Sequence, residues 1–142
     1  MAVGIGRILG RFFTGTTLQR FVPAGAVIDP LGVAATFVAP TFGAAITIDT
    51  SLGSGSLWQR ITANAATAPT IGAPSTAVAG QKLLVTLRNA SGGAMGATTW
   101  NPIYKLGAAW TNPANGFSRS IGFVFDGTNW VEFNRTAADV AN

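Results

Sequence analysis

Gly80-Gln81-Lys82-Leu83-Leu84-Val85-Thr86-Leu87-Arg88-Asn89 decides the fold class. Leu83, Val85 and Leu87 share one face while Lys82, Leu84, Thr86 and Arg88 share the other, the alternation of a half-buried strand. Asn89-Ala90-Ser91-Gly92-Gly93 then turns the chain. Downstream, Thr99-Trp100 marks a strand end, and Ile121, Phe123 and Phe125 form a second inward row. Asp126-Gly127-Thr128-Asn129 follows as a four-residue hairpin loop. On the returning strand Val131 and Phe133 oppose Trp130, Glu132 and Asn134.

Upstream the same period recurs. Leu57, Gln59 and Ile61 point one way and Trp58, Arg60 and Thr62 the other; Ile46 and Ile48 alternate inward; Val33 to Val38 reads as a strand closed by Ala39-Pro40. Ala63 to Ala79 is rich in Ala, Thr and Pro. It allows a flexible linker or an extended segment laid across a sheet, and Ile71 and Val78 as apolar anchors favour the ordered segment. No long helix, internal repeat or heptad is signalled. The expected fold is all-β, an antiparallel β-sandwich of jelly-roll or related type with an extended N-terminal arm. The expected divisions are an arm at residues 1–30, the sandwich at 31–136 and a C-terminal tail at 137–142.

Composition sets what such a domain does. The 142 residues are 48% hydrophobic and only 10% charged, against roughly 25% charged in a typical globular chain. So neutral a surface is expected to be covered by copies of itself or by a partner. Cysteine is absent, so disulfides and thiolate metal sites are excluded. The net charge is +4, and Arg7, Arg11 and Arg20 all precede Asp29, the first acidic residue. Residues Met1 to Phe13 fail as a secretory signal because Arg7 and Arg11 interrupt the apolar stretch, and they are too short and charged to span a membrane. An amphipathic helix carrying Ile5, Ile8, Leu9, Phe12 and Phe13 is opposed by Gly4, Gly6 and Gly10, each costing about 1 kcal/mol relative to Ala. An extended arm is the better reading, with Ile8, Leu9, Phe12 and Phe13 as apolar anchors and Arg7, Arg11 and Arg20 meeting acidic groups of a partner protein. Nucleic acid and membrane are not expected partners.

The inventory of reactive groups is short. Without histidine there is no ordinary proton shuttle, Ser-His-Asp triad or His metal site. Of the five carboxylates, Asp29 precedes a proline in a turn, Asp126 serves the hairpin and Asp139 lies in the tail. Asp49 and Glu132 are the pair left for a glycosidase mechanism. No catalytic, metal or cofactor site is expected, and the chain reads as a non-enzyme. Trp58, Trp100, Tyr104, Trp110 and Trp130 either stack on sugars or, the weightier reading, fill the core or an oligomer interface.

The order Gly80-Gln81-Lys82-Leu83, Asn89-Ala90-Ser91-Gly92-Gly93, Thr99-Trp100 and Phe125-Asp126-Gly127-Thr128-Asn129-Trp130-Val131-Glu132 resembles a small β-module of tailed-bacteriophage virion proteins. The resemblance covers roughly Ile46 to Arg135 and none of the arm. Modules similar to it occur in capsid decoration (cement) proteins and in head or tail fibres, usually as trimers. It implies a homotrimer without cofactors, sited on the capsid exterior, with the major capsid protein as partner. A single module with a basic, apolar arm favours a cement protein; the alternative is a receptor-binding tip or adaptor of a fibre.

Overall fold

The structure is a computed structural model that describes residues 27–28, 34–51 and 55–142. Among these residues every regular element is a strand: β1 (Val27–Ile28), β2 (Ala34–Val38), β3 (Ala45–Ile46), β4 (Ser56–Ala63), β5 (Thr70–Ile71), β6 (Lys82–Asn89), β7 (Thr99–Trp100), β8 (Tyr104–Lys105), β9 (Phe117–Phe125), β10 (Trp130–Arg135) and β11 (Val140–Ala141). The fold is all-β.

The chain visits two sheets in turn. β2, β4 and β6 lie side by side and parallel in a long sheet, while β3, β5 and β7 lie parallel in a short one. Each passage through both sheets makes one coil, and the coils stack. The bonding continues around the corners: Gly72 N donates to Ile46 O at 2.8 Å, Ala90 N to Ala63 O at 2.8 Å, Gly96 N to Ala66 O at 3.1 Å and Asn101 N to Ile71 O at 2.9 Å. β9 then runs antiparallel to β6 and closes the stack, with β10 and β11 sharing its far edge and β8 beyond β10.

This stacking is β-solenoid-like and corrects the expected jelly roll. In a jelly roll neighbouring strands of each sheet run antiparallel, whereas β2, β4 and β6 run parallel. Here Ala63 to Ala79 is not a hairpin but a return path, long enough to bring β6 in parallel to β4, whereas the path after Asn89 passes through the short sheet and brings β9 in antiparallel. The hairpin at Asp126 stands as expected: Asp126 N donates to Asn129 O at 3.0 Å, and Asp126 Oδ1 accepts from Thr128 N and Asn129 N at 2.8 and 2.7 Å. Gly127 takes φ 105° there, where an L side chain would be strained.

Parallel register places like against like. Leu57 faces Leu83, Gln59 faces Val85 and Ile61 faces Leu87 in the long sheet; Ile46, Ile71 and Trp100 align in the short one. These inward rows form the core with Ile48, Ile121, Phe123 and Trp130. Of the two anchors expected between Ala63 and Ala79, Ile71 is buried but Val78 is 61% exposed, because it precedes the turn into β6 instead of facing a sheet. The aromatic residues centre on Phe123, 5.0 Å from Tyr104 and 5.6 Å from Trp100 between ring centroids, and Trp100 also meets Trp110 edge to face at 5.5 Å.

Buried amides secure the corners. Gln59 Nε2 donates to Asp49 O at 3.2 Å and Gln81 Nε2 to Thr50 O at 2.9 Å. Asn89 Nδ2 reaches Gly93 O and Pro113 O at 3.0 and 3.1 Å, while its Oδ1 accepts from Ser91 N and Oγ. Each side chain satisfies a loop carbonyl, and Asn89 joins two loops at once.

Two outcomes follow from this packing. A Cβ on Gly96 would lie 2.6 Å from Ala68 N and 2.7 Å from its Cα, so Gly96→Ala must push two coils apart; chemical denaturation should show a loss of roughly 1–3 kcal/mol, and an unchanged midpoint would contradict the close approach. Tyr104 is the single tyrosine, and burial pushes its phenol well above its ordinary 10.0. Because the neutral form is favoured in the fold, this stabilisation is complete below pH 10 and is lost as pH rises further. Phenolate absorbance should therefore appear only together with unfolding, and a reversible titration near 10 in folded protein would refute the buried phenol.

Candidate functional site

The outward face of the long sheet carries three of the large exposed apolar residues, Phe37, Leu84 and Phe133. Strand alternation sends Phe37, Trp58, Leu84 and Gly122 outward, and register puts them in one row: Phe37 beside Trp58, Trp58 beside Leu84, Leu84 beside Gly122. The row continues onto β10. There a bulge between Glu132 and Asn134 breaks the register and lets the Phe133 ring lie over Gly122, where an added Cβ would stand 3.0 Å from Phe133 Cζ. With strands about 4.8 Å apart the row crosses five strands, roughly 19 Å. Phe37 is 45%, Leu84 39% and Phe133 59% exposed, so large apolar surface is left in water along one line.

The side chains of this row are held in place. Phe37 meets Trp58 edge to face, with centroids 5.1 Å apart at 75°, and the Arg60 guanidinium lies 5.1 Å from the Phe37 centroid. Trp58 Nε1 donates to Thr86 Oγ1 at 2.9 Å, Thr86 Oγ1 shares a hydrogen bond with Ser120 Oγ at 2.8 Å, and Ser120 N donates to Thr136 Oγ1 at 3.0 Å. That chain of hydroxyls forms the next row. Between Leu84 and β10 lies a groove of about 240 Å³, lined by Leu84, Ser120, Gly122, Asn134, Arg135 and Thr136. Gly122 is part of its lining, and the space above Gly122 itself is taken by the Phe133 ring.

Among the described residues, the charges at outward positions of β4 and β6 have one sign. Arg60 and Lys82 are exposed and Arg88 is half-buried at outward positions. No described carboxylate pairs with any of them, since the ion pairs among the described residues are Arg119 with Asp139 and Arg135 with Glu132, both 2.5 Å. Asp49, Asp126 and Asp139 lie outside the strands, and Glu132 sits opposite the inward Phe123.

The carboxylates are occupied elsewhere. Asp49 Oδ1 accepts from Ser51 N and Oγ at 2.9 and 2.6 Å and from Ser75 Oγ at 3.0 Å, and the Ser51 hydroxyl above all holds its pKa below the ordinary value. Glu132 is held low chiefly by Arg135 and also accepts from Gly107 N at 2.7 Å. Arg135 further donates to Ala108 O and Ala109 O, both at 3.0 Å, and so latches that loop to β10. A glycosidase acid needs a carboxyl raised toward neutrality; Asp49 and Glu132, the pair left for such a mechanism, are both shifted the other way. The hydrogen bonds from Ala114 N and Arg119 likewise lower Asp139, and those from Asn129 N and Thr128 N lower Asp126.

The aromatic residues singled out in the sequence separate into two groups. Trp130 and Tyr104 are buried in the core and Trp100 and Trp110 pack against it, whereas Trp58 alone belongs to the outward row. The arm residues Arg7, Ile8, Leu9, Arg11, Phe12, Phe13 and Arg20 lie outside the described residues. Phe37, Leu84 and Phe133 were not among the expected site residues, although their placement opposite inward neighbours was available from alternation. The row itself was not available, because it depends on parallel register. Comparison of the chain with protein-family models, curated proteins and solved structures finds no match.

The lowered carboxylates set an acid limit. Each stabilises the fold fully above its ordinary value, 3.8 for Asp49, Asp126 and Asp139 and 4.5 for Glu132, and that contribution is lost as pH falls through the lower folded values. Thermal midpoints should be flat around neutrality and decline below about pH 4.5. Glu132→Gln should reduce the decline while lowering the plateau; a decline that starts near neutrality would contradict this.

Proposed function

We propose that this chain is a non-enzymatic structural protein of a tailed-bacteriophage virion, a decoration (cement) protein that binds the head exterior and stabilises contacts between capsomers. The observation that carries the reading is the exposed row Phe37, Trp58, Leu84 and Phe133 on a rigid sheet face. In a chain only 10% charged, a fixed apolar line of this kind gains most from burial against another protein, at about 25 cal/mol per Å² before association costs. The resemblance of its turns and strand starts to phage virion modules supplies the setting. A homotrimer carrying three such faces would bind a shell multivalently, with the basic, apolar sequence of residues 1–30 as a second contact to the major capsid protein.

A fibre tip or adaptor is the second reading, favoured by the stacked parallel coils, since coil stacking is a way of building elongated proteins. Gold-labelled antibody against the chain, applied to virions of the phage that encodes it, separates the two. Label distributed over the heads is the expected result. Label confined to the tail or fibres would replace the cement reading with the fibre reading, and unlabelled virions would overturn both.

A further inference from the structure

Resting on the cement reading, we propose that the outward face of the long sheet is the surface that meets the shell, and that its occupant is an acidic patch of the capsid protein presenting one apolar side chain to the groove between Leu84 and β10. Lys82 lies one outward position before Leu84, Arg60 one beyond Trp58 and Arg88 two beyond Leu84, so cations stand on both sides of the apolar row, with no described carboxylate at an outward position of the same strands. None of the three is in an ion pair among the described residues, and Arg88 Nε is buried without an acceptor there. A partner that covered the row without supplying negative charge would desolvate these cations for no return. A second copy offering the same face would set cation against cation, which disfavours self-pairing.

The groove states what the partner inserts. Its volume is about 240 Å³, and a cavity of about 150 Å³ suffices for a benzene-sized group, so one Leu, Met or Phe side chain fits between Leu84 and β10. Ser120, Asn134 and Thr136 at its edge offer polar partners to the backbone that carries that side chain. The Arg60 guanidinium over Phe37 and the steep Phe37–Trp58 contact leave less ring surface for stacking a sugar or a base than a free aromatic platform offers.

The test uses the full chain and purified empty shells of the encoding phage, with binding followed by co-sedimentation over a range of salt. Wild-type protein should bind and weaken as salt rises. The double variant Arg60→Glu and Lys82→Glu should bind about tenfold or more weakly and lose most of its salt dependence; Leu84→Ser should also bind more weakly but keep the wild-type salt dependence. All three positions are exposed, so unchanged circular dichroism and melting are expected, and Trp58→Phe serves as a further variant should one of them fail to fold. If wild type leaves shells bare, the cement reading falls and this inference with it. If wild type binds and all variants bind equally, the cement reading stands and this inference is overturned in favour of contact elsewhere. Dissociation of an oligomer by these variants with shell affinity unchanged would make the face a self-interface, and heparin binding insensitive to Leu84→Ser would make it a polyanion site; either result also overturns it.

Discussion

Everything in this molecule depends on the parallel register of β4 against β6. It sets Leu57 on Leu83, Gln59 on Val85 and Ile61 on Leu87 within the core, and the same pairing, read from the other face, sets Trp58 on Leu84 and Arg60 on Thr86. Slipping the pair by one residue would send every inward residue to the outside. Core and surface are therefore two readings of one ladder. The outward row could not be rearranged without dismantling the inward one, which is why its members hold fixed positions although they are exposed.

The buried amides explain how so glycine-rich a chain holds a stack. Strand hydrogen bonds fix the coils along the sheets and some continue around the corners, where other loop carbonyls need side-chain partners. Gln59, Gln81 and Asn89 provide them by tying Asp49, Thr50, Gly93 and Pro113 to the strand ends. Arg135 does the same on the outer side for Ala108 and Ala109. Polar side chains that in another fold would meet solvent or substrate are here consumed in bracing loops, as are the described carboxylates.

Alternation was legible in the sequence and sheet partners were not. The inward assignments of Leu83, Val85, Leu87, Ile121, Phe123, Ile46 and Ile48 follow from period two alone, and each of these residues is buried. The hairpin at Asp126 follows from Asp-Gly chemistry. Parallel pairing, by contrast, has no local signature: the turn at Asn89 to Gly93 has the composition of a hairpin, yet it begins a long return through the short sheet. Likewise Asn89 reads as a turn residue, and only the approach of Pro113 reveals it as a buried brace. The candidate surface inherits this limit. Trp58 and Leu84 were placed opposite inward neighbours, but Phe37 and Phe133 were given no face, and the row they form exists only across strands that lie far apart in the chain.

That separation also governs how the fold is reached. Apart from β9 with β10, each pairing of the long sheet from β2 onward joins strands divided by a whole coil or a long loop: Thr36 with Leu57, Ser56 with Lys82, Leu83 with Phe123. Closure entropy must be met before any of these contacts contributes, so formation of the stack is slow compared with helical or hairpin folds. The hairpin at Asp126 is the natural local nucleus, and β6 is the strand on which the two halves converge, antiparallel to β9 on one side and parallel to β4 on the other. Until β6 is in place, the aromatic residues of the core and those of the outward row are equally open to water and to neighbouring chains. The hazard in producing this protein thus lies in the interval before β6 docks, when the low charge that suits an assembled surface gives little protection against aggregation.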